Sequence, residues 1–136
     1  MDIEKLIKTA EEMRKLSYVP YSGFSVGAAL LCEDGTVFRG CNIENAAYGP
    51  SVCAERTAFF KAVSEGKRKF TAIAVTGGRK GEKCTKTTPC GVCRQVMREF
   101  CDPKEFRIIV SASADDYDIY TLEELLPAGF GPENLN

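Results

Sequence analysis

Residues 24–32, Phe-Ser-Val-Gly-Ala-Ala-Leu-Leu-Cys, form an apolar run that stops at Asp34-Gly35. A strand with one face in water alternates apolar and polar side chains, whereas an unbroken apolar run belongs to a strand buried on both faces. Asp-Gly is a strong hairpin signal, so residues 36–41 read as the returning strand. A sheet covered on both sides needs helices. Ile3, Leu6, Ile7, Ala10, Met13 and Leu16 recur at helical spacing and predict an amphipathic helix over 3–16. Further helices are expected at 53–65 and 91–101, strands at 71–76, 106–112 and 118–120, and a helical turn capped by Thr121 at 122–126. Residues 77–88 read as a polar loop. The order α-β-β-α-β-α-β-β-α implies one mixed sheet with helices on its faces, within a single domain over residues 1–136.

The chain has seven cysteines and no histidine. Without histidine there is no Ser-His-Asp triad, no Cys-His dyad and no HExxH zinc site. The first residues, Met-Asp-Ile-Glu-Lys-Leu, lack the basic start and apolar stretch of a secretory signal. No segment approaches the roughly 18 apolar residues of a membrane span. A cytoplasmic setting with reduced thiols is therefore expected, and an odd number of cysteines fits a closed disulfide framework poorly.

Net charge is −1, which makes the whole protein no trap for nucleic acid. The charge is uneven. Residues 67–86 hold seven cations (Lys67, Arg68, Lys69, Arg79, Lys80, Lys83, Lys86) against Glu82 alone. This window reads as a solvated face and loop; a phosphate surface would want interleaved aromatics, and only Phe70 is present.

Two segments carry chemistry: Cys53-Ala54-Glu55-Arg56 and Pro89-Cys90-Gly91-Val92-Cys93-Arg94. Each lies where a loop becomes a helix. In a βαβ-type layer the two helix starts lie side by side, so three thiols converge. Zinc takes thiolates in tetrahedral geometry, and three protein ligands leave a fourth position open for water, the mark of a catalytic site. Three thiolates leave zinc with a net negative charge, which weakens it as a Lewis acid. Arg56 and Arg94, together with the positive ends of two helices, are expected to offset that charge. Glu55 is placed either to carry a proton between water and substrate or merely to complement the helix dipole. Cys32, Cys41 and Cys101 read as core or boundary residues. Cys84 could close the site as a fourth ligand, giving a non-catalytic zinc module.

The pattern Cys-x-Glu followed by Pro-Cys-x-x-Cys resembles the zinc-dependent nucleoside and nucleobase deaminases. The all-cysteine ligand set in so short a chain is similar to the small homotetrameric cytidine deaminases. The likeness extends through residues 24–29, Gly40 to Tyr48, Cys53 to Ala58, and Leu125-Leu126-Pro127 with Phe130. It implies a three-layer α-β-α sandwich around one mixed five-stranded sheet. It also implies hydrolytic deamination of cytidine and deoxycytidine to uridine and deoxyuridine, in pyrimidine salvage, with one zinc ion per subunit.

On this resemblance Cys53, Cys90 and Cys93 hold zinc, Glu55 shuttles protons and Arg56 donates to the thiolates. Phe24 packs on the pyrimidine, Asn42 and Glu44 bind the ribose hydroxyls, and the backbone at Ala54 meets the base edge. Tyr48 and Phe130 complete the pocket of a neighbouring subunit in a homotetramer. No nucleic-acid or membrane partner is implied. The loop before Pro89 departs from the pattern in being long and basic. Thr88 stands where serine is frequent, and Val92 where alanine is. The rival readings are a deaminase of a modified nucleoside such as blasticidin S, a polynucleotide editor, the closed zinc module, and a redox pair at Cys90 and Cys93.

Overall fold

In the computed structural model, which describes residues 1–136, five strands form one sheet: β1 (Phe24–Cys32), β2 (Val37–Cys41), β3 (Phe70–Arg79), β4 (Arg107–Ser113) and β5 (Asp116–Thr121). Their spatial order is β2-β1-β3-β4-β5. The apolar run is an inner strand: Leu30 pairs with Phe38 of β2 on one side and Ile73 of β3 on the other. Gly35 closes the β1–β2 turn at φ +91°, where glycine has no steric cost.

The helices are α1 (Ile3–Met13), α2 (Ala54–Ser64), α3 (Gly91–Phe100) and the four-residue α4 (Leu122–Leu125). β2 and β3 both run antiparallel to β1, so they are parallel to each other, and β3 pairs parallel with β4. The two crossovers advance across the sheet in the same direction. Crossovers of one hand then place α2 and α3 on the same face, with both N-termini at the same end. The packing agrees: Ala58, Phe59 and Ala62 of α2 join Cys93 and Met97 of α3 in one core over Leu30, Ile73 and Val75. Phe59 lies at its centre, with ring centroids 5.0 Å from Phe70 and 6.0 Å from Phe106.

α1 covers the opposite face with Leu6, Ile7 and Ala10 against Ala29, Ala72, Ala74 and Ile109. The alanines let this helix close tightly on the sheet. A Cβ on Gly27 would fall 1.9 Å from the Ala10 carbonyl oxygen. The result is a three-layer α-β-α sandwich with a mixed five-stranded sheet, as expected. No helix is long and apolar enough to cross a membrane.

The structure corrects some boundaries. The helix expected over 3–16 is α-helical only to Met13 and ends in a 3₁₀ turn over Arg14–Leu16. β3 does not stop at Thr76: Gly77, Gly78 and Arg79, assigned to a loop from sequence, pair with Val26, Ser25 and Phe24. The glycine pair looks like a loop because it lacks side chains, yet the strand needs both positions bare. A Cβ on Gly77 would lie 2.7 Å from Thr87 Oγ1 and 2.9 Å from the Phe24 ring. One on Gly78 would lie 2.6 Å from the Lys83 carbonyl oxygen. The last strand is also longer than expected, because β5 follows β4 along most of its length.

Candidate metal centre and its cleft

Cys53 is the N-cap of α2 and Cys90 the N-cap of α3, both with extended backbone, and neither side chain caps its own helix. Cys93 follows one turn into α3 and is buried. The three sulfurs form a tight group. Cys90 Sγ lies 3.6 Å from both Cys53 Sγ and Cys93 Sγ, and all three are within 4.8 Å of one another. These separations are too long for a disulfide, which needs about 2.05 Å. They fit tetrahedral zinc, whose bonds of about 2.3 Å space its sulfurs about 3.8 Å apart. Two helix N-termini face the group, and their partial positive charge favours thiolates.

Arg56 Nη2 donates to Cys53 Sγ at 3.4 Å. The Cys53 thiol is pulled down to about 5, first by its hydrogen bond with Cys93 and then by those from Arg56 and Cys90. Cys93 moves in the opposite direction, raised by the same contact with Cys53 and by burial. Arg94 does not take part, contrary to expectation. Its Nε donates to the Pro89 carbonyl at 2.7 Å and its Nη1 to the Leu125 carbonyl at 2.6 Å, so it ties α3 to its preceding loop and to α4. Cys84 is also elsewhere: its sulfur accepts from Arg14 Nη1 at 3.1 Å and lies outside the thiol group. Three thiols could therefore hold a metal here, and Cys84 is not placed to join them as a fourth.

Glu55 is 3% exposed. Its Oε1 is buried with no hydrogen-bond partner, an expensive state for an ionised carboxylate. Burial pushes its pKa up to about 7. The side chain borders a cleft of about 290 Å³ whose base also includes Cys53, Arg56 and Cys90. Phe24 and Val26 of β1 give this cleft apolar surface, with Thr87 and Thr88 alongside. Asn42 and Glu44 come from the segment after β2, and Ser51 and Val52 from the approach to α2. A larger groove of about 670 Å³ runs between α1 and the β1–β2 hairpin, but it holds neither the thiol group nor Glu55.

Asn42 and Glu44 are firmly held. Asn42 Oδ1 accepts from Val26 N and its Nδ2 donates to the Phe24 carbonyl, both at 2.9 Å. The amide thus locks the start of β1 at Phe24, while keeping a second lone pair and a second N–H. Glu44 accepts from the backbone N–H groups of Tyr21 and Ser22 at 3.1 Å and from the Ser22 hydroxyl. These bonds, the Ser22 hydroxyl first, hold its carboxyl below the usual range.

Ala54 is fully buried and begins α2, where a backbone N–H has no intrahelical partner. Tyr48 and Phe130 do not border the cleft. Tyr48 is 72% exposed and Phe130 57% exposed. Tyr48 takes φ +62° and meets Tyr21 edge-on with centroids 6.1 Å apart. Sequence reasoning passed over Val26, Ser51, Val52 and Thr87. Val26 was accessible in principle, since it lies two residues from Phe24 on the same face of a strand.

The family model for the cytidine and deoxycytidylate deaminase zinc-binding region matches residues 1–109. The chain belongs to this deaminase family. It is 50% identical to a cytidine deaminase of Sporosarcina psychrophila, over the whole chain and 96% of that protein. It is 51% identical to one from Halalkalibacterium halodurans, over the whole chain and 99% of that protein. A crystal structure of a cytidine deaminase from Burkholderia pseudomallei matches with TM-score 0.86 and 45% identity, covering 96% of this chain and 100% of that one. One from Mycobacterium tuberculosis matches at TM-score 0.82 and 37% identity, covering 96% and 98%. The matched zinc-binding region contains Cys53, Cys90 and Cys93, the three clustered thiols that could hold the metal.

Proposed function

We propose that this deaminase hydrolyses cytidine and deoxycytidine to uridine and deoxyuridine, consuming one water and releasing one ammonia. The observation that carries this reading is the buried Glu55 carboxyl, one oxygen of it unpartnered, beside three converging thiols in a cleft of nucleoside scale.

Zinc bound by Cys53, Cys90 and Cys93 supplies a Lewis acid that makes water nucleophilic near neutral pH. The protein's own groups do the rest. Phe24 and Val26 offer the pyrimidine an apolar surface. Asn42 and Glu44 offer their remaining hydrogen-bonding capacity to the sugar hydroxyls, chiefly the 3′-OH. The backbone at Ala54 faces the edge of the base. Glu55 takes a proton from the attacking water and gives it to ring N3, and a second transfer lets the amino group leave as ammonia. Burial suits Glu55 to this work, because a carboxyl poised near neutrality both accepts and returns a proton. Arg56, bonded to Cys53, draws negative charge from the thiolates.

The same reading places the enzyme in cytoplasmic pyrimidine salvage, supported by seven cysteines that all remain free thiols. A single domain is supported by one sheet that draws strands from residues 24 to 121. A homotetramer in which Tyr48 and Phe130 complete neighbouring pockets is supported by the exposure of both rings. The test is to purify the protein, quantify zinc and follow the ultraviolet absorbance of cytidine. One zinc per chain with conversion to uridine is expected. Zinc-loaded protein that leaves cytidine unchanged would overturn the reading.

A further inference from the structure

We propose that Arg14, on the face of the sheet opposite the thiol group, is a positioning residue for the deamination proposed above. It fastens the 79–84 loop so that Thr87 and Thr88 stand as a fixed wall of the cleft beside Phe24. This assigns a purpose to the length of the segment before Pro89.

The guanidinium is spent on this loop and its root. Nε donates to the Ser25 carbonyl and hydroxyl oxygens, both at 3.1 Å. Nη2 donates to the Arg79 carbonyl at 3.0 Å, and Nη1 to the Glu82 carbonyl and Cys84 Sγ at 3.1 Å. Three backbone carbonyls and a buried serine are thus read by one planar fork, which a lysine cannot imitate. Arg14 gains its position from the backbone contact between α1 and β1 at Gly27.

Alternation along β3 carries the effect across the sheet. Gly78 faces Arg14 and Lys83, while Gly77, one residue earlier, faces Thr87 and the Phe24 ring. Between them the loop is pinned by the two-way pairing of Gly77 with Thr85, at 3.3 and 2.6 Å. Lys80 N also donates to the Gly23 carbonyl at 2.8 Å, tying the loop to the residue before Phe24. Beyond Thr85, Lys86 bridges Asp116 and Asp118 of β5 at 3.0 and 3.2 Å. At this end of the loop the Lys86 charge does the attaching, whereas at its other end Arg79 and Lys80 contribute backbone groups. Thr87 and Thr88 emerge from it directly into the cleft.

The inference rests on the deamination reading, so its test has an arm that does not. Arg14→Gln and Arg14→Lys attack the fork itself, and Gly78→Ala attacks the loop it holds, because a Cβ on Gly78 would meet the Lys83 carbonyl oxygen at 2.6 Å and Arg14 Nη2 at 2.8 Å. All three variants should raise KM for cytidine about tenfold while kcat stays within about threefold, the pattern of lost substrate binding. Zinc content should stay at the wild-type level. Without substrate, amide hydrogen exchange over residues 79–88 should quicken while that of α2 and α3 does not. Unchanged exchange and KM would overturn the proposal. So would a lower melting temperature with both kinetic constants intact, full rescue by lysine, or a loss confined to kcat with loss of zinc. If wild-type protein leaves cytidine untouched, the deamination reading fails instead, and the exchange arm still decides whether Arg14 orders the loop.

Discussion

A Cβ on Gly40 would stand 2.2 Å from the carbonyl oxygen of Ala54. β2 and the first turn of α2 therefore meet backbone to backbone, and the helix start that carries Cys53 and Glu55 is set by the absence of a side chain. Gly40→Ala must push that turn away. It is expected to cost about 1–3 kcal/mol of stability, as overpacking does, and to weaken zinc binding. Melting temperature and zinc content check this; a variant with wild-type values of both would remove Gly40 as the determinant of the helix position.

Glu55→Gln keeps the shape and removes the proton carrier. Turnover of cytidine should fall by at least about 10². Fold and zinc content should be unchanged, since Glu55 is not among the thiol ligands. Activity near that of wild type would place the proton transfer elsewhere.

Arg56→Gln removes the donor to Cys53 Sγ. Loss of one charged donor is expected to reduce kcat about tenfold or more, with zinc retained by the three thiolates. Loss of metal along with activity would instead make Arg56 a residue that holds the ligands together.

Asn42→Ala should damage deamination of cytidine far more than any turnover of free cytosine. Its bonds to Val26 and Phe24 add a stability cost of about 1–2 kcal/mol, which the cytosine measurement controls for. Equal losses on both substrates would mean that Asn42 only braces β1.

Nucleotides should be poor substrates. Glu44 and Glu55 border the cleft, and its one cation, Arg56, is engaged with Cys53. A 5′-phosphate would find no free positive charge. Steady-state comparison of cytidine with cytidine 5′-monophosphate should favour the nucleoside by at least about tenfold. Parity would point to a phosphate site the cleft does not display.

Much of this was legible in the chain because local signals agreed with tertiary demands. β1 occupies Phe24–Cys32 as read, since an apolar run and an Asp-Gly turn fix both ends. The convergence of Cys53, Cys90 and Cys93 was legible because a βαβ-type layer sets its two helix starts side by side, and the three sulfurs do lie together. The arginines show where reading along the chain fails. Arg56 lies three residues from Cys53, on the same helix face, and reaches its sulfur. Arg94 follows Cys93 directly and stands four residues after Cys90, yet its guanidinium is taken up by the Pro89 and Leu125 carbonyls. β3 was cut short for a related reason. Gly77 and Gly78 have no intrinsic strand preference, and what makes them strand residues is the crowd of neighbours on either face, which no local pattern reports.

The two helix starts that supply the thiols are 37 residues apart along the chain, with β3 between them. A metal ion shared by Cys53 and Cys90 is therefore a reversible cross-link closing a long stretch of polypeptide. The unfolded chain has no preformed pocket of this kind, so binding energy becomes folding energy. The melting temperature of this enzyme is then a property of its surroundings as much as of its sequence: it should climb with the free zinc concentration and drop when a chelator competes.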